Sequence, residues 1–221
     1  MIDGLVLIDK PKDWTSHDIV NRVRKIFGTR RVGHAGTLDP FATGLLILGI
    51  NKATKRLTEL VGIEKTYTAT AHLGANSTTD DPEGTVTHHN VSNPPSLEQL
   101  EQALAHFRGG YDQTAPIFSA KKVQGKKLYE LARAGKTEAD VVLPIKHVLI
   151  PRLEIISYTW PELVFETTCS SGTYIRALAR DIGKDLGTGA YLTELRRTHA
   201  GPYTIDQATP IADLTAETPL I

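Results

Sequence analysis

Gly33-His34-Ala35-Gly36-Thr37-Leu38-Asp39-Pro40-Phe41-Ala42-Thr43-Gly44 runs directly into Leu45-Leu46-Ile47-Leu48-Gly49-Ile50. The second half is a short apolar run of the kind that forms a fully buried strand. The first half holds three glycines, which reach backbone conformations closed to other residues. Pro40 fixes its own φ and pushes Asp39 toward extended geometry. The carboxylate of Asp39 is thereby expected on a stiff turn at the mouth of a core strand. Two readings stay open at this level: Asp39 tightens the turn through its own backbone, as Asx-Pro sequences do, or it performs chemistry.

Working outward, Gly4 to Asp9 reads as an apolar strand that turns at Lys10-Pro11. From Ser16, the expected N-cap, Ile19, Val20, Val23, Ile26 and Phe27 keep helical spacing up to Gly28. Downstream, residues 52–61 read as a helix, and Lys65 to Leu73 alternates with Thr and Tyr enrichment, a strand signature. Asn76 to Gly84 is polar and acidic, hence a loop. Ser96 with Gln99 forms a capping box ahead of a helix that ends at Gly109-Gly110. Leu128 to Ala134 suggests a short helix, Val141 to Tyr158 and Leu163 to Cys169 further strands, Tyr174 to Leu186 a helix with Arg176 in its first turn, and Leu192 to Thr198 a strand. Strands and helices interleave without repeated βαβ units. The expectation is an α+β fold, a mainly antiparallel mixed central sheet flanked by helices, in a single domain over residues 1–221.

The 221 residues carry 25 basic and 25 acidic side chains, so the sum gives no argument for an anionic partner. The distribution does. Arg22, Arg24, Lys25, Arg30 and Arg31 lie between Ile19 and Leu38 with no acid among them, and Lys121, Lys122, Lys126, Lys127, Arg133 and Lys136 form a second cluster around Glu130. No apolar run approaches the roughly 20 residues that span a bilayer, and no signal-peptide pattern opens the chain. A cytoplasmic protein is expected. The one cysteine, Cys169, excludes an internal disulfide and suits strand packing. His88-His89 lacks metal-ligand spacing, and no metal is expected. Gly135-Lys136-Thr137 has Glu130 where a phosphate-binding loop needs glycine, and no GxGxxG follows a strand.

Gly33-His34-Ala35-Gly36-Thr37-Leu38-Asp39-Pro40, together with Lys65-Thr66-Tyr67 and Ser171-Gly172-Thr173-Tyr174-Ile175-Arg176, resembles the TruB family of tRNA pseudouridine synthases. Lys10-Pro11 with Thr15-Ser16, Gln113 with Pro116 and Ser119-Ala120, Gly125 with Tyr129, and Leu195-Arg196-Arg197 match as well, so the resemblance runs from about residue 4 to residue 206. It implies the pseudouridine synthase fold and an isomerase acting on uridine 55 in the T loop of tRNA. Such an enzyme breaks the N1–C1′ bond, rotates the freed uracil and rejoins it through C5, without cofactor. The resemblance makes Asp39 the nucleophile; attack at C1′, attack at C6 and a glycal route all fit covalent or electrostatic work by a carboxylate.

Arg176 matches the arginine that pairs with the nucleophile and keeps a buried carboxylate ionised. Tyr67 matches the active-site tyrosine that stacks on the base, and Lys65 is expected to support it. The target uridine has to be flipped out of the T loop; His34 matches the residue that fills the vacated space, and Tyr174 and Leu195 match positions lining the uracil pocket. Lys121, Lys126 and Lys127, in a basic insertion around residues 113–136, are expected on phosphates of the T arm. The family usually adds a C-terminal PUA module, and none is expected here. A monomer needing no protein partner is expected. A guide-dependent synthase of the same superfamily and an RNA-binding or folding factor are the competing expectations.

Overall fold

The computed structural model describes residues 2–123 and 125–221. Its elements run in the order β1 (Gly4–Lys10), α1 (Ser16–Ile26), β2 (Val32–His34), β3 (Thr43–Ile50), α2 (Leu57–Val61), β4 (Lys65–Leu73), β5 (Ala75–Ser77), β6 (Val86–His88), α3 (Leu97–Ala105), β7 (Tyr111–Thr114), β8 (Lys122–Val123), β9 (Lys126–Lys127), α4 (Leu128–Arg133), β10 (Ile145–Val148), β11 (Arg152–Thr159), β12 (Glu162–Cys169), α5 (Ile175–Asp185), β13 (Ala190–Ala200), β14 (Tyr203–Thr204) and β15 (Thr209–Pro210). The fold is α+β with a mixed central sheet. The chain divides into two compact units, residues 1–68 with 194–221, and residues 69–193.

In the first unit β3 is the hub. Apolar at nearly every position and buried on both faces, it pairs antiparallel with β1 from Gly4↔Ile50 to Lys10↔Gly44. The start of β3 takes β13 in parallel (Arg196↔Thr43, Arg197↔Gly44), and its end takes β2 antiparallel (Val32↔Ile50, His34↔Leu48). The loop between β2 and β3 therefore leaves and re-enters the sheet at fixed points. One face of these strands packs Val6, Ile8, Leu46 and Leu48 against Ile19, Val20 and Val23 of α1. The other packs Leu5, Leu7, Leu45 and Ile47 over Ala35, Ala53 and Leu57.

Helix α1 is capped one residue earlier than its sequence suggests. Thr15 is the N-cap: its Oγ1 accepts from Asp18 N at 3.0 Å, and Asp18 Oδ2 accepts from Thr15 N at 2.9 Å. That reciprocal box releases the Ser16 hydroxyl for a different task, described below. The stretch expected as one helix over 52–61 begins instead as a 3-10 segment, Asn51–Arg56, before α2.

In the second unit β11 and β12 form an antiparallel hairpin with a bulge between Ile155 and Ser157, and β7 pairs with β10 (Gln113↔Lys146). Cys169 is buried on β12. Helix α5 buries Ile175, Leu178, Ala179 and Ile182 along one stripe, as its spacing implies. Among the described residues, no helix is long and apolar enough to cross a membrane.

Candidate active site

The turn at Asp39 closes through its backbone, Ala42 N donating to Asp39 O at 3.1 Å with Pro40 between. Three side chains from outside the loop fasten it. Ser16 Oγ accepts from Leu38 N at 2.9 Å and donates to Leu38 O at 3.1 Å, so one buried hydroxyl satisfies both backbone groups of the residue before Asp39. Lys10, with no exposed surface, donates Nζ to Pro40 O at 3.1 Å, Trp14 O at 2.6 Å and Pro11 O at 2.9 Å. Three carbonyls match the three N–H bonds of an ammonium. Burial lowers the Lys10 pKa to about 8, against the pull of the nearby Asp39 carboxylate, which raises it.

Arg197, 1 % exposed on β13, is the third fastening. Its Nε donates to Leu45 O at 2.6 Å and its Nη2 to Gly36 O at 3.1 Å, tying both ends of the loop. Gly44 is required where these strands meet: its φ is +102°, and a Cβ there would strike the Arg197 carbonyl oxygen. The Arg197 guanidinium also lies 6.0 Å from the centre of the Tyr67 ring, a cation–π distance that places Tyr67 beside the loop. Tyr67 is buried on β4. Lys65, two residues earlier and also buried, donates Nζ to Val61 O (3.0 Å) and Ile63 O (2.8 Å). Leu195 is buried on β13, and its carbonyl accepts from Thr43 Oγ1 at 3.5 Å.

His34 ends β2 half-buried, its Nδ1 buried with no hydrogen-bond partner among the described residues. Burial first, then the Arg197 and His17 charges, lower its pKa, so the imidazole is neutral at pH 7. The loop, His34, Lys65, Tyr67 and Leu195 thus gather in the first unit around two buried cations, Lys10 and Arg197. Both lie in the matching segments, yet nothing in the sequence marks them as interior; lysine and arginine are ordinarily exposed. Arg196 is fixed separately by a fork onto Asp9, Nη1–Oδ1 at 3.0 Å and Nη2–Oδ2 at 2.8 Å.

Arg176 and Tyr174 belong to the second unit. Arg176 is buried in the first turn of α5, its Nη1 donating to Thr79 O at 2.6 Å and its Nη2 to Phe118 O at 3.0 Å, with Asp81 Oδ2 at 3.3 Å. Asp80 pairs with Arg180 at 3.0 Å. The acidic loop is therefore partly interior: Asp80 and Asp81 are 8 % and 3 % exposed. Tyr174 is the N-cap of α5, and the buried Gln113 amide clamps its backbone, Oε1 accepting from Tyr174 N (2.8 Å) and Nε2 donating to Tyr174 O (3.0 Å). Gln113 Nε2 also donates to Tyr111 Oη at 2.7 Å, and that phenol donates to Asp181 Oδ2 at 3.0 Å. Burial and Asp181 push the Tyr111 pKa well above the usual phenol range.

The lysines of the insertion are surface groups. Lys121 and Lys126 are exposed, and Lys127 donates to Tyr129 Oη at 3.2 Å while Arg133 stands 5.5 Å over the same ring. Among the described residues no group of three or more His, Cys, Asp or Glu is arranged to hold a metal ion.

Residues 24–175 match the model for the N-terminal domain of TruB family pseudouridylate synthases, and residues 176–219 match a tRNA pseudouridylate synthase B C-terminal domain. The tRNA pseudouridine synthase B of Arthrobacter sp. (strain FB24) is 50 % identical over 98 % of this chain and 72 % of its own length. That of Thermobifida fusca (strain YX) is 46 % identical over 98 % of this chain and 76 % of its own. Among solved structures, a Cbf5-Nop10-Gar1 complex contains a chain with a TM-score of 0.74 and 28 % identity, covering 96 % of this chain and 53 % of that one. This chain spans about half the length of that solved protein.

Proposed function

The chain belongs to the TruB family of pseudouridylate synthases and is an isomerase that forms pseudouridine in tRNA, and from that premise we propose that it acts on uridine 55 of the T loop with Asp39 as nucleophile. The observation that carries this reading is the fastening of the Asp39 turn by Ser16, Lys10 and Arg197. A side chain that only closed its own turn would need no such support. A nucleophile needs it, because reaction requires the carboxylate oxygen to be held within a fraction of an ångström of its target. The buried cations Lys10 and Arg197 stand beside the loop that carries this carboxylate.

Tyr67, beside Arg197, stacks on the flipped uracil. The family pattern assigns Tyr174 and Leu195 to the uracil pocket and Arg176 as the cation for the nucleophile. His34, kept neutral, enters the T loop where the uridine leaves it, adding ring surface without charge. Lys65 supports Tyr67 from the start of β4. Lys121, Lys126 and Lys127 meet T-arm phosphates, so the T arm is the part of tRNA that is recognised. The enzyme works as a cytoplasmic monomer, within a single catalytic domain and without a cofactor. Incubating the chain with an unmodified T-arm stem-loop transcript and mapping pseudouridine by base tests the reading. Conversion confined to the T-loop uridine is expected; conversion elsewhere, or only in a guided complex, would overturn it.

A further inference from the structure

We propose that the groove along the polar face of α1 binds one unpaired nucleotide of the tRNA, its base stacked on Trp14 and its phosphate held by Arg22 and Lys25. The groove encloses about 500 Å³ and is lined by Asp13, Trp14, Asp18, Asn21, Arg22 and Lys25. That volume falls within the ~300–1,000 Å³ of sites that hold a small molecule. Positions 18, 21, 22 and 25 follow the helical spacing of one face, and Trp14 closes its N-terminal end.

Trp14 is 38 % exposed although it sits on an immobilised turn. Asp13 adopts a φ of +65°, a left-handed conformation that side chains rarely take, and its N–H donates to Pro40 O at 2.9 Å. Lys10 holds Trp14 O at 2.6 Å and the same Pro40 O at 3.1 Å. The indole therefore rests on a platform bonded to the residue next to Asp39. An exposed aromatic face fixed beside a reacting loop is how proteins receive an unstacked base.

The charges name the occupant. Arg22 and Lys25 are exposed and suited to a phosphate. Asp18 spends Oδ2 on Thr15 N (2.9 Å) and Thr15 Oγ1 (2.6 Å). Asp13 remains on the rim as an acceptor for the N–H edge of a base. With two acids and two bases the lining is not a patch for a duplex backbone, which would meet the carboxylates; a single nucleotide presenting both base edge and phosphate satisfies it. The inference rests on the tRNA reading above.

The test is the affinity of a fluorescent T-arm stem-loop for chains carrying Asp39→Asn, which stops turnover. Adding Trp14→Ala is expected to weaken binding about tenfold, in line with the loss of one stacked base, and Trp14→Phe to restore most of it. Arg22→Ala and Lys25→Ala are each expected to reduce the slope of log affinity against log salt by about one. In the Trp160→Phe chain, where Trp14 is the sole indole, bound RNA is expected to shield its fluorescence from acrylamide, a readout that loss of folding cannot mimic. Affinity within twofold after Trp14→Ala, or indole quenching unaltered by RNA, would overturn the inference while leaving the synthase reading intact. No binding by the Asp39→Asn parent would remove both.

Discussion

Lys10 carries its charge where solvent does not reach, and its pKa of about 8 makes it the residue whose titration bears most directly on the Asp39 turn. The folded chain gives up this proton near pH 8 and the unfolded chain near 10.5, so between those values the unfolded chain binds more protons. The cost of burying the ammonium is therefore full below pH 8 and relieved as pH rises through that window. Catalysis runs the other way. A neutral amine offers two N–H bonds to three carbonyls and withdraws a cation from the vicinity of Asp39. Turnover at saturating RNA is expected to fall with a midpoint near pH 8, without loss of folded protein in a parallel circular-dichroism titration; a rate flat to about pH 10 would contradict this.

Ser16→Ala removes a buried hydroxyl that serves both Leu38 N and Leu38 O. Stability should drop by about 1–3 kcal/mol, the cost of stranding buried backbone groups, and turnover should drop with it, as thermal melting and single-turnover rates would report. The Asp39 turn was legible in the sequence because its loop is local. The side chains that fasten it were not: Ser16 lies 22 positions before Leu38 and Arg197 161 after Gly36, and short-range periodicity carries no record of such pairings.

Elements that answer to local rules came through from sequence. The alternation of β4 gives strictly alternating burial, the Ser96–Gln99 box starts α3, and Gly135, at a φ of +84°, follows the C-cap of α4. Where the sequence reading of α1 misplaced the cap, two adjacent hydroxyls competed, and only the reach of Asp18 decides between them. The acidic loop hid its interior carboxylates because their partners, Arg176 and Arg180, come from α5.

Helix α5 is set at its N-terminus by a side-chain amide rather than by a capping hydroxyl, since the Gln113 amide pairs with both backbone groups of Tyr174. Gln113→Leu keeps the volume and removes both bonds together with the one to Tyr111 Oη. The expected result is a rise in KM for the stem-loop through a loosened Tyr174, with about 1–3 kcal/mol lost in chemical denaturation. An unaltered KM would show that the clamp serves stability alone.

For the molecule as a whole, 25 basic and 25 acidic residues leave no net attraction for RNA, so binding has to come from where the charges lie. The lysines of β8 and β9 and Arg22 and Lys25 of α1 lie at the surface, while Arg176 and Arg197 are buried, Arg197 on backbone carbonyls and Arg176 on backbone carbonyls and Asp81. Binding is expected to weaken steeply with salt. Replacing Lys121, Lys126 and Lys127 by Ala should lower the salt slope by about three, roughly one for each phosphate contact removed. Composition alone hid this, because equal totals say nothing of which charges fold inward.

The expected losses of turnover presuppose that the carboxylate of Asp39 carries out the reaction. The direct measurement is pseudouridine formation in a tRNA transcript by wild type and Asp39→Asn, with affinity measured on the same samples. The account predicts full conversion by wild type and none by the variant, whose affinity stays within about tenfold because basic side chains supply most of the attraction. Pseudouridine formed by Asp39→Asn at a rate near that of wild type would contradict it.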